Sequence, residues 1–322
     1  MGNHGNYTKN EKINKKDEIK QNNNKLKLIK DSIEIKQIQN THEIQYLFKL
    51  EDNRILLADA LYINIYDEEL LKIDLKIKKT PGQRSLKKIT QLKDDRVLFV
   101  YGFCISILQI NQNSFFLSQY INIIQPIDIF QIDYDDLYIG TLNNIIKYQK
   151  DEKLFKITDS FKIENYKYSY ICYTDNSIIT FPDLNTNNII FLDLDSRFEK
   201  IGYYGKKIYP ESKICKIENY FIFINYTTFS LIDIDNQQIQ TTINSLYVFY
   251  SICILDQNYI AFGGEDRIFV YEKGIDEWKY KEERNIFDNF NVNTDLNVTF
   301  IIKTNSGKII FTDNKCRIRI LQ

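Results

Sequence analysis

The residues that could do acid–base, metal or nucleophilic chemistry are few and scattered. Two histidines are present, His4 and His42, so imidazole-dependent catalysis has a single candidate outside the N-terminal leader. The five cysteines, Cys104, Cys172, Cys215, Cys253 and Cys316, form no C-x-x-C pair, and an odd number completes no disulfide framework. Zinc needs clustered Cys and His, and neither clusters here. The spacings of P-loops, dinucleotide folds, zinc proteases and α/β-hydrolases do not occur. Carboxylates are abundant, but only a fold can bring two of them to glycosidase separation. No catalytic residue, cofactor or metal is assigned from the sequence. Reduced thiols and a leader without an apolar stretch predict a soluble cytoplasmic protein, in which the sequons at Asn6, Asn225 and Asn297 have no use.

Three features point to recognition instead. Lys76, Lys78, Lys79, Arg84, Lys87 and Lys88 crowd around Pro81-Gly82; of these, Lys78, Lys79, Arg84, Lys87 and Lys88 are candidate phosphate ligands. A stretch between Gly274 and Asn297 holds Trp278, Tyr280, Phe287 and Phe290, aromatic types that anchor protein interfaces. Gly2 follows Met1 at a myristoylation position, although Asn6 replaces the Ser or Thr of the strict pattern. Five lysines between Lys9 and Lys20 would supply the electrostatic half of a membrane-surface anchor. The 42 basic and 43 acidic residues balance, which argues against a dedicated nucleic-acid binder.

The elements that would hold these residues follow from internal repetition. Seven segments of 13 residues begin at Leu47, Ile89, Ile129, Ile171, Ile214, Ile252 and Ile301. Each reads as a strand, a polar turn and a strand, as in LFKLEDNRILLAD and ICILDQNYIAFGG. The ninth residue is apolar at Ile55, Val97, Leu137, Ile222, Ile260 and Ile309, and the turn opens with Glu51, Asp133, Asp175, Glu218 and Asp256. The fourth segment is expected to have a turn one residue shorter, regaining register at Ile178. Cys172, Cys215 and Cys253 fall at the same second position, which predicts structural thiols on successive blades, too far apart for one ion.

The starts are separated by 42, 40, 42, 43, 38 and 49 residues, the period of a four-stranded propeller blade. Third and more variable fourth strands follow, such as LYINIYDEE from Leu61 and LLKIDLKIK from Leu70. The last segment stops after its third strand, whereas Ser32 to Gln39 is an alternating strand without a partner. Placed at the outer edge of blade seven, it would close the ring and leave no open seam. The expected organisation is a flexible basic tail, 1–25, and one all-β domain, 26–322: seven four-stranded antiparallel blades, closed by an N-terminal strand.

This pattern resembles the WD-repeat family. In IAFGGEDRIFVYE, Ile260 to Glu272, Tyr271-Glu272 stands where the family has Trp-Asp, and Asp266 where it has its tight-turn Asp. INIYD, Ile63 to Asp67, is similar through Tyr66-Asp67. No repeat has the Trp-Asp dipeptide or a Gly-His pair, so the hydrogen-bonded tetrad that locks family blades is missing. The Phe-Arg-Arg-Gly motif of phosphoinositide-binding propellers is also absent. The resemblance implies a non-catalytic scaffold or adaptor that binds other proteins within a complex. The alternatives are a peripheral membrane or phosphate-binding adaptor and a propeller enzyme acting at the central channel.

Overall fold

In a computed structural model, residues 36–39 and 42–321 are described, apart from 69–72, 81–82, 84, 113, 164–165, 169, 175–176, 198, 266, 274–277 and 286–295. Short runs rich in Ile, Phe, Tyr and Val, broken by Asp, Asn and Ser, suit strands and tight turns. They form seven sheets of four antiparallel strands. In chain order, blade one is Ile44–Lys49, Ile55–Asp59, Tyr62–Tyr66 and Ile73–Lys78, and blade two is Leu86–Gln91, Val97–Tyr101, Cys104–Ile110 and Phe115–Asn122. Blade three is Pro126–Gln131, Asp136–Thr141, Asn144–Asp151 and Leu154–Lys162, and blade four is Cys172–Tyr173, Ile178–Asp183, Asn188–Asp193 and Glu199–Tyr203. Blade five is Lys213–Ile217, Tyr220–Asn225, Thr228–Asp233 and Gln238–Asn244, and blade six is Phe249–Ile254, Tyr259–Gly264, Arg267–Lys273 and Trp278–Asn285. Blade seven takes Val298–Lys303, Ile309–Asp313 and Arg317–Leu321 from the end of the chain and Lys36–Gln39 from its start. The N-terminal strand runs antiparallel to the last one, with Lys36 opposite Ile320 and Gln39 opposite Arg317. Closure is therefore as expected, while 26–35 and the tail lie outside the described residues.

The core is seven layers, one per blade interface. Leu56 and Ile63 of blade one pack with Phe99 and Tyr101 of blade two. The same arrangement recurs around the disc until Ile310, Ile318 and Ile320 of blade seven meet Ile44, Leu47 and Ile55 of blade one. Most of the second and third strands are buried on both faces, so their near-continuous apolar runs have a physical reason.

Register corrects one expectation. Phe48 pairs with Leu56, Thr90 with Leu98 and Cys172 with Thr180, so blade four has the common turn. Cys215 pairs with Ile222, and the shorter turn belongs to blade five, at Glu218-Asn219. In blades one, two, four and seven the common turn holds its fourth residue at positive φ: Asn53 at 72°, Asp95 at 65°, Ser177 at 58° and Gly307 at 86°. Short polar residues and glycine tolerate that conformation best.

Candidate functional site

A bulge near the start of the inner strand of blades one, two, three, six and seven precedes Tyr46, Lys88, Asp128, Ser251 and Phe300. A bulge re-aims the side chain beside it, and each of these reaches another blade. Lys88 pairs with Asp128, whose second oxygen accepts the Ile171 amide of blade four at 2.7 Å. Ser251 donates to the Val298 carbonyl at 2.9 Å, and the Tyr46 ring lies 5.3 Å from that of Phe300. Lys213 of blade five puts its ammonium 5.6 Å from the Phe300 ring of blade seven and donates to the Tyr250 carbonyl. Burial lowers its pKa to about 8. Aromatic and lysine side chains thus meet across the centre of the disc. Cys172 and Cys253 are pushed by burial to about 12, and Cys215 is raised as well, by burial first and then by the other two thiols. These are protonated packing thiols, not nucleophiles. Among the described residues, no group of three or more His, Cys, Asp or Glu could hold a metal ion.

Other contacts take the place of the missing tetrad. At the end of the second strand stand Asp59, Thr141, Asp183, Asn225 and Asp313, all buried. Asp59 accepts the amides of Leu61 and Tyr62 at 2.7 Å, and Thr141 accepts that of Asn144 at 3.1 Å. Asp183 accepts from Asn185, Thr186 and Lys167, and Asp313 from Lys315 and Arg317. Asn225, inside the second sequon, accepts the Tyr209 amide and the Ser212 hydroxyl, which makes it a structural residue. On the opposite side, the third residue of a repeat reaches back to the preceding blade. Gln91 accepts the Glu51 amide and Gln131 the Lys93 amide, both at 2.8 Å, while Lys49 donates to Asn305. Polar side chains, most of them carboxylates and amides, therefore fasten five of the hairpins and at least three of the seams, a role that sequence reading gave to nothing.

Antiparallel alternation gives the disc two unlike faces. The lower face carries the turns between first and second strands and between third and outer strands; there Asp94 pairs with Arg96 and with Lys150 of blade three. The upper face carries the turns between second and third strands and the connections between blades. Six large apolar side chains stand out there: Phe103 (72% exposed), Ile124 (80%), Leu142 (45%), Tyr203 (82%), Tyr226 (51%) and Leu246 (94%). They fall in two groups, on blades two and three and on blades four and five. The Ile123 amide donates to the Phe103 carbonyl, and the Phe249 amide to that of Tyr226, which joins each turn to its neighbouring connection. The available signal was an apolar residue inside a turn, where polar types normally serve.

The lysine cluster is taken apart by the fold. Lys78 is exposed, but the next side chain points the other way in a strand. Lys79 is buried, donates to Gln45 at 2.8 Å and to the Asp59 carbonyl, and has its pKa lowered by burial to about 8. Lys87 donates to the Pro126 carbonyl at 2.9 Å, and Lys88 is held by Asp128. Three of the five proposed phosphate ligands are thus committed inside the protein; Arg84 lies outside the described residues, as does Gly2. Trp278 is a correction too. It is 5% exposed and packs with Phe229, Phe262 and Tyr271 between blades five and six, so its indole is no surface anchor. Tyr280 belongs to the same outer strand, its side chain outside the described set with Phe287 and Phe290.

No protein-family model matches the chain, and no curated protein matches it in sequence. Solved structures do match in shape. The RRP9 WD40 repeats superpose with a TM-score of 0.71 at 10% identity, covering 89% of this chain and 96% of that one. A chain of the mitotic checkpoint complex gives 0.72 at 8% identity, covering 90% and 91%. Streptogramin B lyase gives 0.70 at 14% identity, covering 89% and 97%. The chain is thus a seven-bladed β-propeller, similar in fold to the WD40 repeats of RRP9 and to streptogramin B lyase. The likeness is one of fold, and the fold serves both complex subunits and an enzyme.

Proposed function

We propose that this chain is a non-catalytic interaction platform whose upper face docks other proteins. The observation that carries the proposal is the set of six exposed apolar side chains on that face. Thr141 caps the turn of Leu142, Thr228 donates across that of Tyr226, and the Phe103 and Tyr226 carbonyls are tied to neighbouring connections. Exposed apolar groups on rigid loops suit docking, because little ordering entropy is lost on binding. The centre of the disc favours this reading over an enzyme. Its carboxylate, Asp128, is spent on Lys88 and on two backbone amides, and its thiols are protonated. Five free cysteines fit a reducing compartment, and among the described residues no helix is long and apolar enough to cross a membrane. The test compares proteins that co-purify with the wild type and with a Phe103→Glu/Ile124→Glu/Leu246→Glu variant. Loss of a stoichiometric companion from the variant, with unchanged melting, supports the platform. An identical set of companions, or none with either chain, contradicts it.

A further inference from the structure

The outer strands form the rim of the disc, each with one unpaired edge, and natural sheets blunt such edges with charge. Blade one does so with Asp74, Lys76 and Lys78, blade three with Lys156, Asp159 and Lys162, and blade four with Glu199 and Lys200. Blade six has a run of charges from Lys279 to Arg284, and blade five has glutamines and threonines. Blade two, like blade five, has no charge on its outer strand, but differs in exposing four large apolar side chains. Its outer strand, Phe115–Asn122, reads FFLSQYIN and exposes Phe115 (42%), Phe116 (55%), Leu117 (55%) and Tyr120 (49%).

The strand is long and rigidly held. It pairs along its inner edge from Phe115 opposite Ile110 to Asn122 opposite Cys104, with a bulge at Ser118 that brings Leu117 and Tyr120 to the same face. Gln119 bonds both the carbonyl and the amide of Phe155 in the outer strand of blade three, at 2.8 Å each. Arg96 bridges Ser118 to the Lys153 carbonyl. These ties bring Leu154 and Ile157, themselves exposed, alongside the strand. The six side chains together expose on the order of 500 Å² of apolar surface, the size that marks an interaction site on a soluble protein.

We propose that a second copy of this chain covers this edge, its Phe115–Asn122 strand pairing antiparallel with that of the first about a two-fold axis between Ser118 and Gln119. In that register Leu117 faces Tyr120 of the other copy, Phe116 faces Ile121 and Phe115 faces Asn122. No like charges oppose one another, as they would if one of the charged rims paired with itself. A two-fold contact uses the same patch twice, so about 1,000 Å² of apolar surface plus the polar groups between would be covered, close to the smallest stable interfaces. The contact runs rim to rim and leaves both upper faces free for the platform role.

Sedimentation velocity on the full chain from 1 to 100 µM tests this, with Leu117→Lys and Phe116→Lys as edge variants and Leu246→Lys as an upper-face control; all three sites are exposed. The expected result is a concentration-dependent dimer for wild type and control, weakened at least tenfold in both edge variants, with unchanged circular-dichroism melting. A wild type monomeric throughout, a dimer indifferent to both edge lysines, or growth beyond two copies would overturn it.

Discussion

Asp183 shows how one side chain can hold a blade without the family tetrad. It is fully buried, and its oxygens accept three backbone amides and the Thr186 hydroxyl. Asp183→Ala strands those donors and should cost about 3 kcal/mol in urea unfolding, with Asp183→Asn recovering part of it. Lys213 makes the opposite kind of test. Its folded pKa of about 8 lies below the ordinary lysine value, so between the two the unfolded chain binds the proton more tightly. Its contribution to stability is therefore poorest below pH 8 and improves as pH rises toward 10. Wild type should gain about 2 kcal/mol relative to Lys213→Met between pH 7 and pH 9.5, and parallel pH profiles would contradict the buried placement. At this scale the sequence misled as often as it informed. Lys79 and Lys88 looked like one cluster with Lys78, but strand alternation and a bulge send their ammonium groups to the Asp59 carbonyl and to Asp128. Trp278 had interface chemistry and a packing position. The three aligned cysteines pack at blade seams, Cys172 buried and Cys215 and Cys253 half-buried.

At the scale of the element, the blades were legible because period and apolar alternation are both consequences of one repeated hairpin. The turn in blade five was not, since its shortening moves only the pairing of Cys215 with Ile222 and leaves the apolar pattern nearly intact. Glu199–Tyr203 also carried no strand signal: five residues, two of them charged, with Ile201 exposed. Gly263 is an element-level constraint, because a Cβ there would lie 2.3 Å from Ser251 Oγ and 2.5 Å from Val298 Cγ1, at the seam of blades six and seven. Gly263→Ala should destabilise by about 1–3 kcal/mol, whereas Gly102→Ala, with nothing within 4 Å, should be nearly neutral. Differential scanning calorimetry of the two variants separates seam packing from the general effect of adding a methyl group. The closing strand is testable in the same instrument. Removal of residues 1–39 strips the partner from Arg317–Leu321 and should lower the melting temperature by at least about 5 °C.

At the scale of the whole molecule, seven apolar layers, one per blade interface, make a rigid disc, and rigidity is what suits its faces to the proposed docking. The sequence reached the disc through its 13-residue repeats, yet not the face proposed for docking, because Phe103, Ile124 and Leu246 become neighbours of other loops only once the ring has closed. The lower face has acids spent on Arg96, Lys150 and backbone amides, and it exposes fewer large apolar side chains, Ile73, Tyr134 and Ile254 among them. A photo-crosslinking amino acid placed at Phe103 or Leu246, and for comparison at Lys308 on the lower face, tests this division most directly in living cells. The account predicts a discrete crosslinked partner from Phe103 and Leu246 and none from Lys308; crosslinks from Lys308 alone, or none from any position, would contradict it.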